Sequence, residues 1–141
     1  ILDNAYVIVD FQNGVRALLD LCMFAENSTN QEELCAVGDI GKIETAVPSA
    51  SSGKNSSELR IGYRKNGKTL NEIVEVDEEI LKVGNHHGST YYEHISFLDS
   101  IESSKPAAVS LNDGLQAVAI GEAAEISIKE NRIVKMDEFK I

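Results

Sequence analysis

Along this sequence the spacing of apolar residues changes once, from every second residue to every third or fourth, just past the acidic run Asp77-Glu78-Glu79. A period of 2 marks a strand with one covered face, and a period of 3.6 marks an amphipathic helix. Strands first and helices last restrict the chain to the α+β class. The expected architecture is a predominantly antiparallel sheet with helices packed on one face. No internal repeat competes with that reading.

The strands are bounded by turn chemistry. Ala5 to Phe11 and Val15 to Phe24 flank Gln12-Asn13-Gly14, and Asn-Gly between two apolar runs is the strongest short-range hairpin signal. Leu34 to Val37 and Lys42 to Val47 form a second antiparallel pair around Gly38-Asp39. Pro48 to Ser57 is small, polar and aperiodic, and reads as a loop. Glu58 to Arg64 then alternates, with Leu59, Ile61 and Tyr63 on one face, and Asn66-Gly67 turns it back into Lys68 to Val76. Asp77 to Glu79 is read as a solvated exit from the sheet.

Two helices follow. Thr90 and Glu93 have capping-box spacing, ahead of Tyr91, Ile95 and Leu98 at i, i+4 and i+7. That helix should stop near Ser103-Ser104, since Pro106 disfavours helical geometry before it. Ser110 with Asp113 starts another, from Leu111 to about Glu130, with a stripe of Ala117, Ile120, Gly121, Ala124 and Ile128. Leu115, Val118 and Ile126 make it apolar over most of its circumference, as in a central buried helix. Ile133 to Met136 is expected to add a short last strand.

Composition narrows the function classes. The chain has 141 residues, room for one domain, and a formal charge of −10 from thirteen Lys and Arg against twenty-three Asp and Glu. Such a surface repels phosphate backbones, so no nucleic-acid partner is expected. No apolar run approaches the roughly 20 residues that span a bilayer, so no membrane partner is expected either. Cys22 and Cys35 are too few for a disulfide scaffold and read as buried small hydrophobes. With no signal-peptide pattern, a cytoplasmic protein is expected. The opening Ile1-Leu2-Asp3 enters a strand pattern without a Met, which suggests a piece of something longer.

Chemistry-bearing groups are few. Gly38-Asp39-Ile40-Gly41 joins two strands and lacks the third glycine of a dinucleotide fingerprint, so it reads as a turn. All three histidines lie within His86-His87-Gly88-Ser89-Thr90-Tyr91-Tyr92-Glu93-His94. Their spacing does not put two metal ligands on one helical face, and no metal is expected. Ser89 lacks the G-x-S-x-G elbow of a nucleophile. Two readings of this segment stand side by side. It is either a polar pocket at a helix start, able to hold the hydroxyls of a small ligand, or a surface loop anchored by two tyrosines. A second polar island, Glu26 to Gln31, joins two apolar strands and is the kind of loop that recognises polar substrates. The candidate ligand contacts are Glu26, Asn30, His86, His87 and Tyr91.

The order of these motifs resembles a known family. Phe97 to Ile101 ahead of Pro106, followed by Asp113-Gly114-Leu115, Ala117, Ile120 and Ala123-Ala124, is similar to the end of the glucose-fructose oxidoreductase / inositol dehydrogenase / MocA family. Asn4-Ala5-Tyr6-Val7, Phe11-Gln12-Asn13-Gly14 and Val37-Gly38 through Glu44 agree with its earlier strands. The resemblance implies a C-terminal domain of the glyceraldehyde-3-phosphate-dehydrogenase-like α+β type, spanning 1–141. The parent's N-terminal Rossmann domain, with its glycine fingerprint, E-K-P lysine and D-x-x-x-H helix, is absent from this chain. By that resemblance the parent is an oxidoreductase using NAD or NADP on a sugar, polyol or related hydroxylated compound. This chain would supply substrate contacts and oligomer contacts, bind no cofactor itself and be inactive alone. A homodimer or higher homo-oligomer through the uncovered sheet face is expected. The alternatives are a stand-alone, non-catalytic binding or assembly module, and a small hydrolase built on the histidines.

Overall fold

The structure, a computed structural model, describes residues 2–83 and 86–140. It is α+β, with all its strand pairs antiparallel, and the strands divide into a two-stranded and a four-stranded sheet. Two compact units result, one from Ile1–Ala25 with Pro106–Ile141 and one from Glu26–Lys105.

The first unit opens with β1 (Asn4–Asp10) and β2 (Arg16–Cys22), paired without a slip from Asn4↔Cys22 to Asp10↔Arg16. Their turn is the expected one: Phe11 N donates to Val15 O and Gly14 N to Phe11 O, both at 2.9 Å. Ala5, Val7, Val9 and Leu21 share one face and are half-buried. Tyr6, Ile8 and Leu18 on the other face are 76%, 72% and 67% exposed.

The unit closes with the helix Leu111–Glu130, which is α3 in chain order. The capping box forms as the sequence requires, with Ser110 Oγ accepting from Asp113 N at 3.1 Å and Asp113 Oδ2 from Ser110 N at 2.9 Å. The Ser110 hydroxyl, which donates to Asp113 Oδ2 at 2.6 Å, and then the Ser110 N–H hold the Asp113 carboxyl below its usual range. The inward stripe differs from the expected one. Ala119 and Ala123 are buried and Gln116, Ile120, Ala124 and Ser127 half-buried, while Ala117, Gly121 and Ile128 are exposed. The helix is therefore buried along one narrow stripe of small side chains and is not surrounded. Small residues there permit close backbone approach.

Beyond α3 the expected strand is absent. Met136–Glu138 forms a 3-10 turn, because Arg132 clamps the chain back. Its guanidinium reaches Glu138 with two parallel bonds, Nη1 to Oε1 at 2.9 Å and Nη2 to Oε2 at 2.8 Å, and Nε reaches Glu130 Oε2 at 2.6 Å. Arg132 holds the Glu138 carboxyl down to about 2, from an ordinary 4.5. A carboxyl depressed in the folded state contributes fully above its unfolded value and loses that contribution as pH falls through its folded one. Acid titration should therefore leave the Lys135 and Glu138 amides protected from pH 4.5 down toward pH 2. Glu138→Gln should expose them at neutral pH and remove the acid step, as read by amide exchange. Unchanged protection in that variant would show that the clamp does not hold the turn.

The second unit is built on β3 (Asn30–Val37), β4 (Gly41–Pro48), β5 (Ser56–Tyr63) and β6 (Thr69–Glu75), adjacent in that order. Register sorts their side chains into two unlike faces. Leu34, Ala36, Ile43, Val47, Leu59, Ile61, Leu70 and Val74 share one; Glu33, Cys35, Lys42, Glu44, Arg60 and Asn71 share the other. Gly41 is required where β4 passes β5, since a Cβ there would sit 2.2 Å from the Gly62 carbonyl oxygen. Cys35, like Cys22 in the first unit, is exposed and unpaired in a disulfide, contrary to the expectation of burial. Each sits on a sheet face that no described element covers fully.

Asp77 to Glu79 is more than an exit. Asp77 Oδ1 accepts from Glu79 N at 2.8 Å and so caps α1 (Glu78–Val83), whose first-turn acids suit the positive end of its dipole. The next helix, α2 (Ser89–Ser103), starts differently from the Thr90 capping box. Its N-cap is Gly88 at φ 85°, with no side-chain cap. A Cβ at Gly88 would lie 2.9 Å from Val76 and 3.0 Å from Ile80, so glycine serves both the backbone angle and the packing. The helix ends at Ser104 in a left-handed turn, two residues before Pro106.

Among the described residues no helix is long and apolar enough to cross a membrane.

Candidate functional site

Both polar islands lie in the second unit, and two local irregularities aim them. The first is a bulge in β3. Asn30 pairs with Pro48 and Glu32 with Val47, which leaves Gln31 as an extra residue. Counting by twos from Leu34 then places Glu32 on the apolar face of the sheet. The second is a left-handed turn, His86 at φ 52°, His87 at φ 55° and Gly88 at φ 85°. Left-handed backbone costs a residue with a Cβ roughly 1–2 kcal/mol, and histidine is among the side chains enriched there.

The two irregularities meet. His86 Nδ1 lies 2.6 Å from Glu32 Oε1 and 3.2 Å from Gln31 Nε2. An ionised carboxylate only accepts, so Nδ1 carries the hydrogen and donates to Glu32. Gln31 Nε2 is then a secondary neighbour of that atom and not a second donor to it. This tautomer makes Nε2 of the neutral ring an acceptor. The side chains of His86 and Glu32 are 47% and 54% exposed, so their bond orients the ring more than it stabilises the fold.

The other expected site residues divide. His87 is half-buried, and its Nε2 is a buried atom with no hydrogen-bond partner. Such a nitrogen costs about 1–3 kcal/mol unless a water or ligand hydroxyl meets it. Asn30 is half-buried and donates from Nδ2 to Glu33 Oε1 at 2.8 Å, along its own strand. Tyr91 packs edge-on against Tyr92, with ring centres 5.7 Å apart. Glu26 is exposed where the second unit begins. Among the described residues no hydrogen bond joins Glu26, Asn30 or Tyr91 to His86. The geometry thus unites His86 with Gln31 and Glu32, partners that were not among the expected contacts. One sequence signal did point to Glu32: it is a carboxylate in phase with the apolar positions Leu34 and Ala36, which calls for a partner.

The three histidines do not converge on a nucleophile. His86 turns to Glu32, and His94 Nδ1 lies 2.7 Å from the Thr90 carbonyl one turn back, as a donor. Among the described residues no histidine is bonded to Ser89. Nor do three or more His, Cys, Asp or Glu side chains come together there as a metal site. What the cluster offers is hydrogen bonding of both senses: an imidazole held by a carboxylate, a primary amide, and a second, buried imidazole nitrogen. That set suits ligand hydroxyls, each of which donates one bond and accepts others.

Comparison with known proteins adds one match. The model of a family described as "Oxidoreductase family, C-terminal alpha/beta domain" matches residues 2–136. No individual curated protein matches the chain.

Proposed function

The chain belongs to the glucose-fructose oxidoreductase / inositol dehydrogenase / MocA oxidoreductase family, as its C-terminal α/β domain, and on that premise we propose that it binds the hydroxylated substrate of an NAD(P)-dependent enzyme. The substrate class is a sugar, a polyol or a related compound. The nicotinamide, which would accept or return hydride at a carbinol carbon, belongs to a Rossmann domain of the parent. The residues of this chain hold and orient hydroxyl groups and bring subunits together. The observation that carries the reading is the meeting of His86 with Gln31 and Glu32, beside the unpartnered Nε2 of His87. Two exposed thiols without a disulfide fit a reducing, cytoplasmic compartment.

A titration tests this on the chain as it stands. A panel of sugars and polyols should move the imidazole resonances of His86 and His87 saturably. Glu32→Gln should weaken the response about tenfold, the worth of one charge-assisted hydrogen bond. NADH fluorescence should show no saturable binding, because this chain has no G-x-G-x-x-G. Micromolar NADH binding, or imidazoles indifferent to every hydroxylated compound, would overturn the reading.

A further inference from the structure

At the opposite end of β3 from the histidine cluster, the hairpin tips of the four-stranded sheet enclose an open hollow of about 300 Å³. Gly62 is among the residues that line it. That residue lies inside β5, paired with Lys42 on one side and Thr69 on the other, so no turn explains a glycine there. A Cβ on Gly62 would meet nothing within 4 Å. A glycine inside a strand weakens it entropically and often marks a place where something else approaches the backbone. Here the missing side chain is the space itself.

The charge around this space is one-sided. Lys42, Arg64 and Lys68 line it, and no Asp or Glu does, in a chain whose formal charge is −10. Lys42 is partly engaged: its Nζ donates to Glu44 at 2.7 Å, one row further down the sheet. Among the described residues Arg64 and Lys68 have no ion pair, and Arg64 is fixed through its backbone N–H to the Ile40 carbonyl at 2.9 Å. Val37, on the same face as Lys42 and Gly62, gives the hollow an apolar wall, and Thr69 completes the lining. A planar guanidinium, two ammonium groups and a hydroxyl around an apolar pit match a compact body with a doubly charged oxyanion. The backbone amides nearby are already used, Gly38 N by Gly41 O and Gly67 N by Tyr63 O. Recognition therefore falls to the side chains.

We propose that this hollow binds a small dianionic ligand, a phosphate monoester or a dicarboxylate, at a site separate from the histidine cluster. The test is amide NMR of the chain with glycerol phosphate, succinate and uncharged glycerol as probes, at constant ionic strength. One or both dianions should shift the amides of Gly62, Tyr63 and Thr69 saturably, and whichever does so identifies the oxyanion; glycerol should not. Arg64→Gln with Lys68→Gln should weaken binding about tenfold or more. Gly62→Leu, which fills open space, should abolish it while the dispersed spectrum of the folded chain persists. Absence of saturation with both dianions, an equal response to glycerol, or binding that survives both sets of substitutions would overturn the proposal. The His86 resonances stay unmoved in a positive result, which keeps this outcome distinct from that of the sugar titration.

Discussion

Gly41→Ala should destabilise the second unit by about 3 kcal/mol, near the upper end of what overpacking usually costs. The new Cβ would sit 2.2 Å from the Gly62 carbonyl oxygen, and both groups are backbone within paired strands. No rotamer change relieves such a clash. β4 has to move away from β5, and the pairs Gly41↔Tyr63 and Lys42↔Gly62 move with it. Gly38→Ala is the control, because its Cβ would meet its nearest neighbour at an ordinary 3.9 Å. Thermal unfolding followed by circular dichroism checks the pair. If both variants melt alike, β4 and β5 are not as close at Gly41 as described.

The chain should form dimers that dissociate on dilution, with the apolar face of β3 to β6 as the contact. Leu34 on that face is 59% exposed, Leu70 46%, Tyr63 and Val74 44%, and Ile43 41%. In register these side chains share one face, with Thr45 and Glu72 the polar residues among them. Soluble monomers rarely leave more than a few hundred Å² of such surface in water. A second copy would meet it with an identical face, the usual closed solution. Replacing Ile43 and Leu70 by Lys places charge where the contact has to be dry, and should weaken dimerisation by about 2 kcal/mol or more, some thirtyfold. Ile73→Lys is the comparison, since Ile73 is also exposed, at 58%, but lies on the polar face. Light scattering across a dilution series reads both. A chain that stays monomeric at high concentration, or one that Ile73→Lys dissociates equally, rules this interface out.

Much of the fold was legible because single residues decide it. Asn13-Gly14 and Asn66-Gly67 fix two hairpins, and the box formed by Ser110 and Asp113 fixes the start of α3 at Leu111. The readings that failed are those in which several residues compete. Thr90 and Glu93 have the right spacing for a cap, but Gly88 adopts the left-handed angle earlier, and the helix begins two residues sooner. In α3 apolar residues lie almost all round the helix, so periodicity leaves the phase of the buried stripe open. Close approach then selects Ala119 and Ala123. The site was legible only in outline. Two polar islands can be read from the sequence, but their meeting depends on a bulge at Gln31 and a left-handed turn at His86. Neither feature has a periodic signature.

The first unit is made of two segments, Ile1–Ala25 and Pro106–Ile141, while the second is one uninterrupted stretch between them. That arrangement bears on the order of folding. Every strand pair of the second unit joins neighbours in sequence, so each hairpin closes over a short loop. The first unit assembles only after its two segments, separated by the whole of Glu26–Lys105, have found each other. Closing a loop costs about 0.6 kcal/mol more for each doubling of its length, and non-local pairing slows folding. Prior collapse of the intervening stretch shortens that loop in space. On a ribosome the order is stricter still, since β1 and β2 emerge before the second unit and wait for α3, which emerges after it. Until it arrives, the apolar hairpin is the part of the nascent chain most in need of a chaperone.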